Sequence, residues 1–205
     1  MRRGSPRLPA GAHYAQPWRV HELAGDFHLQ DVWALPAEGG PDDFERLVAV
    51  FAAGDPEQRS SGLAGALWRI RLKLGAVLGL DDPETGLDAR VTTLRERLPD
   101  DLRGAPAGPD FGSPRFRSVY LLQDEWAAEI ANRTMHGILH VGWVPRPDGG
   151  GHRGQLAILV KTNGLLGSAY MAAIGPFRHL IVYPAMMRRI EDVWGRPRVQ
   201  MADSI

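Results

Sequence analysis

The chain has 205 residues, 24 acidic against 24 basic, and no cysteine. That length suits one large domain or two very small ones and buries a core without covalent staples. Zero formal net charge argues against a dedicated nucleic-acid binder, which carries a basic excess, and the missing cysteine excludes disulfides, thiol catalysis and zinc–thiolate centres.

Residues 1–15 read as an unstructured tail. Met1-Arg2-Arg3 opens like a twin-arginine signal, but Gly4–Gly11 is rich in Gly and Pro and supplies no apolar core for one. A cytoplasmic location is therefore expected. Trp18–Leu23 and His28–Leu35 read as short extended segments, the second alternating Leu29, Asp31, Trp33 and Leu35 on one face. After Gly39-Gly40, Pro41 suits the first turn of a helix, and Asp42, Asp43 and Glu45 complement its positive end. Phe44, Leu47, Val48 and Phe51 follow at helical spacing.

Residues 54–62 read as a turn. A second amphipathic helix follows, with Leu63, Leu67, Ile70, Leu74, Val77 and Leu78 on one stripe, closing near Gly79. Arg69, Arg71 and Lys73 beside it read as a solvated face rather than an anion site. Residues 80–115, rich in Asp, Pro and Gly, read as a surface excursion rather than a lid.

From Phe116 the pattern turns to strands. Phe116–Gln123 reads as one strand, Asp124–Asn132 is ambiguous, and Arg133–Val144 is a second strand with Met135, Leu139, Val141 and Trp143 alternating. Asp148-Gly149 marks a hairpin turn, and Gln155–Lys161 is the returning strand. Gly149–Gly154 spells GxGxxG, but the dinucleotide-binding motif needs a strand before it and a helix after it, and here a strand follows. No phosphate-loop or nucleophile-elbow motif is present in the sequence.

Asn163-Gly164 opens a helical region that is expected to break at Gly175-Pro176 and to resume over Phe177–Trp194. Its apolar residues point in most directions, which implies burial on more than one side, against a sheet that curls around it. Gly164–Met187 is apolar enough to compare with a membrane span. A central Arg178 would cost roughly 2.5–3.5 kcal/mol on insertion scales, so no stable membrane insertion is expected.

Several of these stretches together resemble a bacterial family called domain of unknown function 2867. They are Glu125–Thr134 with His136, His140, Gly142 and Trp143; Gly167–Ile174 with Pro176–His179; Val182-Tyr183-Pro184; and Thr93-Leu94-Arg95 with Arg97-Leu98-Pro99. The resemblance covers roughly residues 16–195. Through that family's placement near the START-like superfamily it implies an α+β helix-grip fold. In such a fold a curved antiparallel sheet wraps a long C-terminal helix, here Pro-interrupted, with two short helices after the first strands. The implied organisation is one domain over 16–195 with tails at 1–15 and 196–205. The implied partner is a small, mostly apolar molecule held between sheet and helix, with no cofactor. Self-association stays open.

His136 and His140 share one face of a strand, with Ile138 between them. Four residues span roughly 13 Å at about 3.3 Å each, too far for one metal ion, so no metal site is expected. They remain separate acid–base groups or satisfied structural groups. If residues 125–140 were helical, Glu125, Glu129, Asn132, His136 and His140 would share a face, as in metal-binding bundles; Thr134, Gly137, Val141, Gly142 and Val144 favour extended structure instead. Arg178, in an apolar helix, is expected to pair with a carboxylate such as Glu129. The catalytic candidates are thus His136, His140 and Glu129. The ligand-contact candidates are Tyr120, Asn132, Trp143, Tyr170, Arg178 and Tyr183.

Three functions follow as expectations. The first is binding of a small hydrophobic ligand. The second is a cofactor-independent cyclase, isomerase or dehydratase that uses a cavity histidine or glutamate for proton transfer. The third is a non-catalytic interaction module, whose mark would be an exposed apolar patch.

Overall fold

Alternating side chains that bury on both faces of a pleat build the centre of the protein. The computed structural model describes residues 6–52, 87, 91–111 and 116–196. Among these residues there are five strands: β1 (His28–Gly39), β2 (Arg117–Leu121), β3 (Glu125–Ala131), β4 (Met135–Pro145) and β5 (His152–Thr162). They form one antiparallel sheet in the order β1-β5-β4-β3-β2. Strands β2 to β5 are successive hairpins, and β1 closes against β5. Together with its helices the protein is α+β.

The ambiguous stretch is therefore strand β3, and the helical reading of 125–140 is set aside. The β4–β5 hairpin keeps full register down to Pro145 opposite His152. Gly149 and Gly151, at φ 72° and 102°, supply the left-handed positions the turn needs.

Each face of the sheet carries its own apolar layer. On one face Trp33, Leu35, Trp126, Val141, Trp143 and Leu156 pack against α3 (Phe44–Ala52) and the end of the C-terminal helix. On the other, Tyr120, Ala127, Ile138, Ala157 and Leu159 lie beneath Trp18, Leu23, Phe27, Leu94, Leu98 and Leu102. This second cover consists of two single-turn helices, α1 (Gly11–Tyr14) and α2 (Val20–Leu23), and a 3-10 turn at Leu94–Arg97.

That second cover corrects three expectations. Residues 6–14 are ordered: the Leu8 amide donates to Val32 O at 2.8 Å and the Ala34 amide to Pro6 O at 2.7 Å. These bonds occupy the open edge of β1, a backbone demand that composition does not reveal. The 18–23 segment is partly helical rather than extended, and Trp18, Val20 and Leu23 are buried from it. Residues 91–111 are not a surface excursion, because Leu94, Leu98 and Leu102 recur every fourth residue and bury against the sheet. The amphipathic helix expected over 63–79, the turn at 54–62, most of 80–90 and the end of the tail at 197–205 lie outside the described residues.

The C-terminal helix also departs from expectation. It does not break at Gly175-Pro176. Helix α4 (Gly164–Phe177) runs through Pro176, a π-helical stretch spans Arg178–Val182, and α5 (Tyr183–Trp194) follows. Proline removes one N–H from the ladder, and a widened turn just beyond it keeps the helix continuous. Nor is the helix enclosed all round. Tyr183 and Ile190 are buried, but Leu165 is 90% and Leu180 75% exposed. Among the described residues no helix is long and apolar enough to cross a membrane.

The start of α4 is seated on the β3–β4 turn. The Asn163 amide donates to Thr134 O at 2.8 Å, and a Cβ on Gly167 would lie 2.1 Å from that same carbonyl oxygen. Gly167→Ala should therefore force α4 off the turn and lower stability by about 1–3 kcal/mol in urea denaturation. A loss below about 0.5 kcal/mol would mean that α4 is not seated there.

Candidate functional site

Antiparallel register brings two carboxylates of β3 to two histidines of β4. Glu125 and Glu129 share one face of β3, and His140 and His136 share the same face of β4. His140 stands opposite Ala127 and His136 opposite Ala131, so each histidine meets a glutamate on the diagonal. His140 Nε2 lies 2.9 Å from Glu125 Oε2, and His136 Nε2 lies 2.7 Å from Glu129 Oε2. All four side chains are buried.

Buried carboxylates need partners, and each of these also takes hydrogen bonds from the covering layer. Glu125 accepts the Arg19 amide at 2.7 Å and the Tyr120 hydroxyl at 2.9 Å. Glu129 accepts the Leu94 amide at 3.0 Å and the Thr93 hydroxyl. The two dyads thus pin α2 and the 3-10 turn to the sheet.

Beyond that the dyads differ. His136 is closed over by the Phe27 ring, centroids 5.0 Å apart. His140 instead meets Trp18 at 5.3 Å and His13 at 5.1 Å. His13 meets His21 at 4.9 Å, and His21 meets Tyr14 at 5.6 Å. Tyr14 is 58% exposed, so a run of rings leads from solvent to the Glu125–His140 pair.

This run is also where polar atoms lack partners. Among the described residues nine buried side-chain polar atoms have no hydrogen bond. Five of them are here: both ring nitrogens of His13, His21 Nε2, Trp18 Nε1 and Gln155 Oε1. Buried polar atoms are normally paired, so this concentration makes the region the leading candidate for a site.

Burial, and then the neighbouring His140 and His21, push the His13 imidazole down to about 3. Burial pushes the Glu125 carboxyl up, but the His140 hydrogen bond, the His140 charge, the Arg19 amide and the Tyr120 hydroxyl outweigh it and leave its pKa lowered. Glu125 is therefore a carboxylate at neutral pH. As an acceptor only, it receives the hydrogen bond of His140 Nε2–H, which leaves Nδ1 as the ring nitrogen not held by the carboxylate. Burial, then the Glu125 charge, hold the Tyr120 hydroxyl well above its ordinary range, so it stays a donor.

The other candidates do not converge here. Asn132 Oδ1 accepts the Thr134 and Met135 amides at 2.9 and 3.1 Å and closes the β3–β4 turn. Trp143 faces the opposite layer and donates to Gly40 O at 2.8 Å. Tyr170 is half-buried on α4. Arg178 does not pair with Glu129, because the sheet separates them. It lies 3.4 Å from Asp31, which also receives the Tyr183 hydroxyl at 2.8 Å and sits 3.1 Å from His179. The nine candidates are thus divided between two faces and do not line one cavity.

Four residues of the site are not among the candidates, and Gln155 is one of them, marked in the sequence only as the start of a strand. His13, Trp18 and His21 belong to a segment read as tail or strand, where no periodicity marks them. Beside Asp31, a crevice of about 300 Å³ opens along β1, lined by Arg7, Leu8, Asp31 and Val32 among others. Among the described residues no group of three or more His, Asp and Glu side chains is arranged to hold a metal ion.

A family model described as "Protein of unknown function (DUF2867)" matches residues 23–185. No curated protein and no solved structure matches. The matched span holds both dyads; His13, Trp18 and His21 lie ahead of it.

An imidazole that stays neutral in the fold but titrates near 6.5 when unfolded gives the unfolded chain the extra proton. Its contribution is whole above that value and is lost as pH drops toward about 3. Wild-type stability should therefore fall between pH 6.5 and 4 by up to about 1.4 kcal/mol per pH unit, and His13→Phe should flatten that slope in urea titrations. Glu125 would add its own loss only below its ordinary 4.5. An unchanged slope in the variant would mean that His13 titrates freely in the fold.

Proposed function

We propose that this chain, which belongs to the DUF2867 family, binds a small molecule beneath its N-terminal helices and moves a proton on it through His140. One observation carries this reading: a buried carboxylate holds Nε2 of a histidine that meets, edge to face, a second histidine whose ring nitrogens have no well-formed hydrogen bond. Glu125 holds Nε2–H, Nδ1 takes the proton, and the carboxylate stabilises the imidazolium that forms. His13, kept neutral, offers one donor and one acceptor to the group where charge develops.

The reaction class is proton abstraction beside a carbonyl, leading to isomerisation, cyclisation or dehydration without a cofactor. A simple carrier needs no ionised carboxylate in its wall, so proton transfer is preferred to transport. The helix-grip architecture belongs to the same proposal. Its support is the strand order, with the first strand beside the last, and the C-terminal helix along one face. The reactive pair lies on the other face.

Proton transfer is testable without the natural substrate. Acetone and hydroxyacetone in D₂O should exchange their α-protons faster with the protein than in buffer, followed by proton NMR. His140→Ala and Glu125→Gln should each slow that exchange by at least about tenfold, whereas folded His136→Ala keeps it. No acceleration by the wild type would overturn the catalytic reading.

A second reading rests on α4. Leu165, Ala169, Ala172, Ala173, Pro176 and Leu180 are exposed along one stripe of an uncharged helix. An apolar patch of this kind suits contact with a second copy of the chain. Sedimentation should then show a concentration-dependent dimer that Leu165→Ser with Leu180→Ser abolishes. A monomer at every concentration opposes this reading.

A further inference from the structure

We infer that the molecule held at His140 is neutral and carries both a carbonyl-type oxygen and a hydroxyl group, the oxygen facing Trp18 and the hydroxyl facing Gln155. This inference rests on the reading that His140 lies in a binding site. It names what that site would bind, and it replaces the mostly apolar partner expected from the sequence.

The argument is an inventory of unmet hydrogen bonds. Trp18 Nε1–H can only donate, so its missing partner is an acceptor. Gln155 Oε1 can only accept; it lies near enough to the His13 ring to raise that imidazole slightly but forms no well-aligned hydrogen bond with it, so its missing partner is a donor. The amide orientation of Gln155 is set by its own contact, since Nε2 donates to Ala12 O at 3.4 Å and a flip would oppose two oxygens. A neutral His13 adds one further donor and one further acceptor.

These groups share one patch of the sheet. Gln155 stands directly opposite Gly142 in the β4–β5 register. The Trp18 ring rests on Gly142, where a Cβ would lie 2.5 Å from Cζ2. His140 precedes Gly142 by two residues and so points to the same face. A missing side chain at 142 is what lets the indole lie beside Gln155 and His140.

Charge favours a neutral occupant. Glu125 already accepts from three donors. Arg19, the nearest cation on α2, is engaged by Glu22 and Asp101 at 2.7 and 2.8 Å. An ionic ligand would find neither counter-charge open. A purely apolar one would leave all five polar atoms unpaired, the costlier outcome. A hydroxy-carbonyl compound answers both demands and presents the activated proton that His140 needs.

The test compares probes of similar size by ligand-observed NMR at millimolar concentration. Hydroxyacetone carries both groups, acetone the acceptor alone, and cyclopentane neither. Hydroxyacetone should bind wild-type protein at least tenfold more tightly than acetone. Trp18→Phe and Gln155→Met should each remove most of that advantage, with urea midpoints confirming that each variant is folded; Gln155→Met alone suffices if Trp18→Phe does not fold. Equal binding of cyclopentane, no binding of hydroxyacetone, or a crystal structure grown with hydroxyacetone that shows only ordered water on Trp18 and Gln155 would overturn the inference. Hydroxyacetone binding without α-proton exchange would spare it and sink the catalytic reading. Exchange that persists undiminished in both variants would do the reverse.

Discussion

Two carboxylates buried in one central strand are the constraint on which the rest of this structure depends. Glu125 and Glu129 cannot sit under an apolar layer unless every oxygen is answered. The answers come from two directions at once: a histidine from the neighbouring strand and a backbone amide from the segment above. The sheet's second cover is therefore held by polar bonds at two points as well as by Trp18, Phe27 and the Leu94–Leu98–Leu102 stripe. Two single-turn helices would be marginal alone. Bonded to the Glu125 carboxylate through the Arg19 amide, α2 stays in place.

The same arrangement separates a fully enclosed pair from one whose surroundings are left unpaired. Around Glu129 and His136 each glutamate oxygen is answered and the histidine is capped by Phe27. Around Glu125 and His140 the carboxylate is answered but the neighbours of the histidine are not. Burial alone would raise the Glu125 pKa; the hydrogen bonds reverse the sign. That reversal matters chemically, because only an ionised carboxylate fixes the imidazole tautomer and then stabilises its charged form.

Much of the sheet was legible in the sequence. Strand β4 showed clean alternation, Asp148-Gly149 announced its hairpin, and His136 and His140 fell on one face by counting. Strand β3 was not legible, because glutamates on a buried strand break the apolar code that identifies such strands. Nor was the pairing of Glu125 with His140, which needs the register of two strands rather than the pattern of either. The N-terminal segment was misread because its order comes from backbone bonds to the β1 edge, and α1 and α2 are too short to show a period. Arg178 was rightly expected to need a carboxylate, but only the fold could choose Asp31, because Glu129 lies across the sheet.

Unpaired atoms are the part of this protein that packing does not explain. The core elsewhere follows ordinary rules, with aromatic and branched residues filling both layers. A sequence selected only for stability would replace His13 with an apolar residue of similar size, since a buried imidazole with no hydrogen bond costs free energy that a phenyl ring does not. Gly142 points the same way: it weakens a central strand, yet it is what brings the Trp18 indole onto the sheet beside His140. Local rules broken together, within a few ångströms of a tautomer-fixed histidine, are the expected signature of a site that is completed by something the chain itself does not supply.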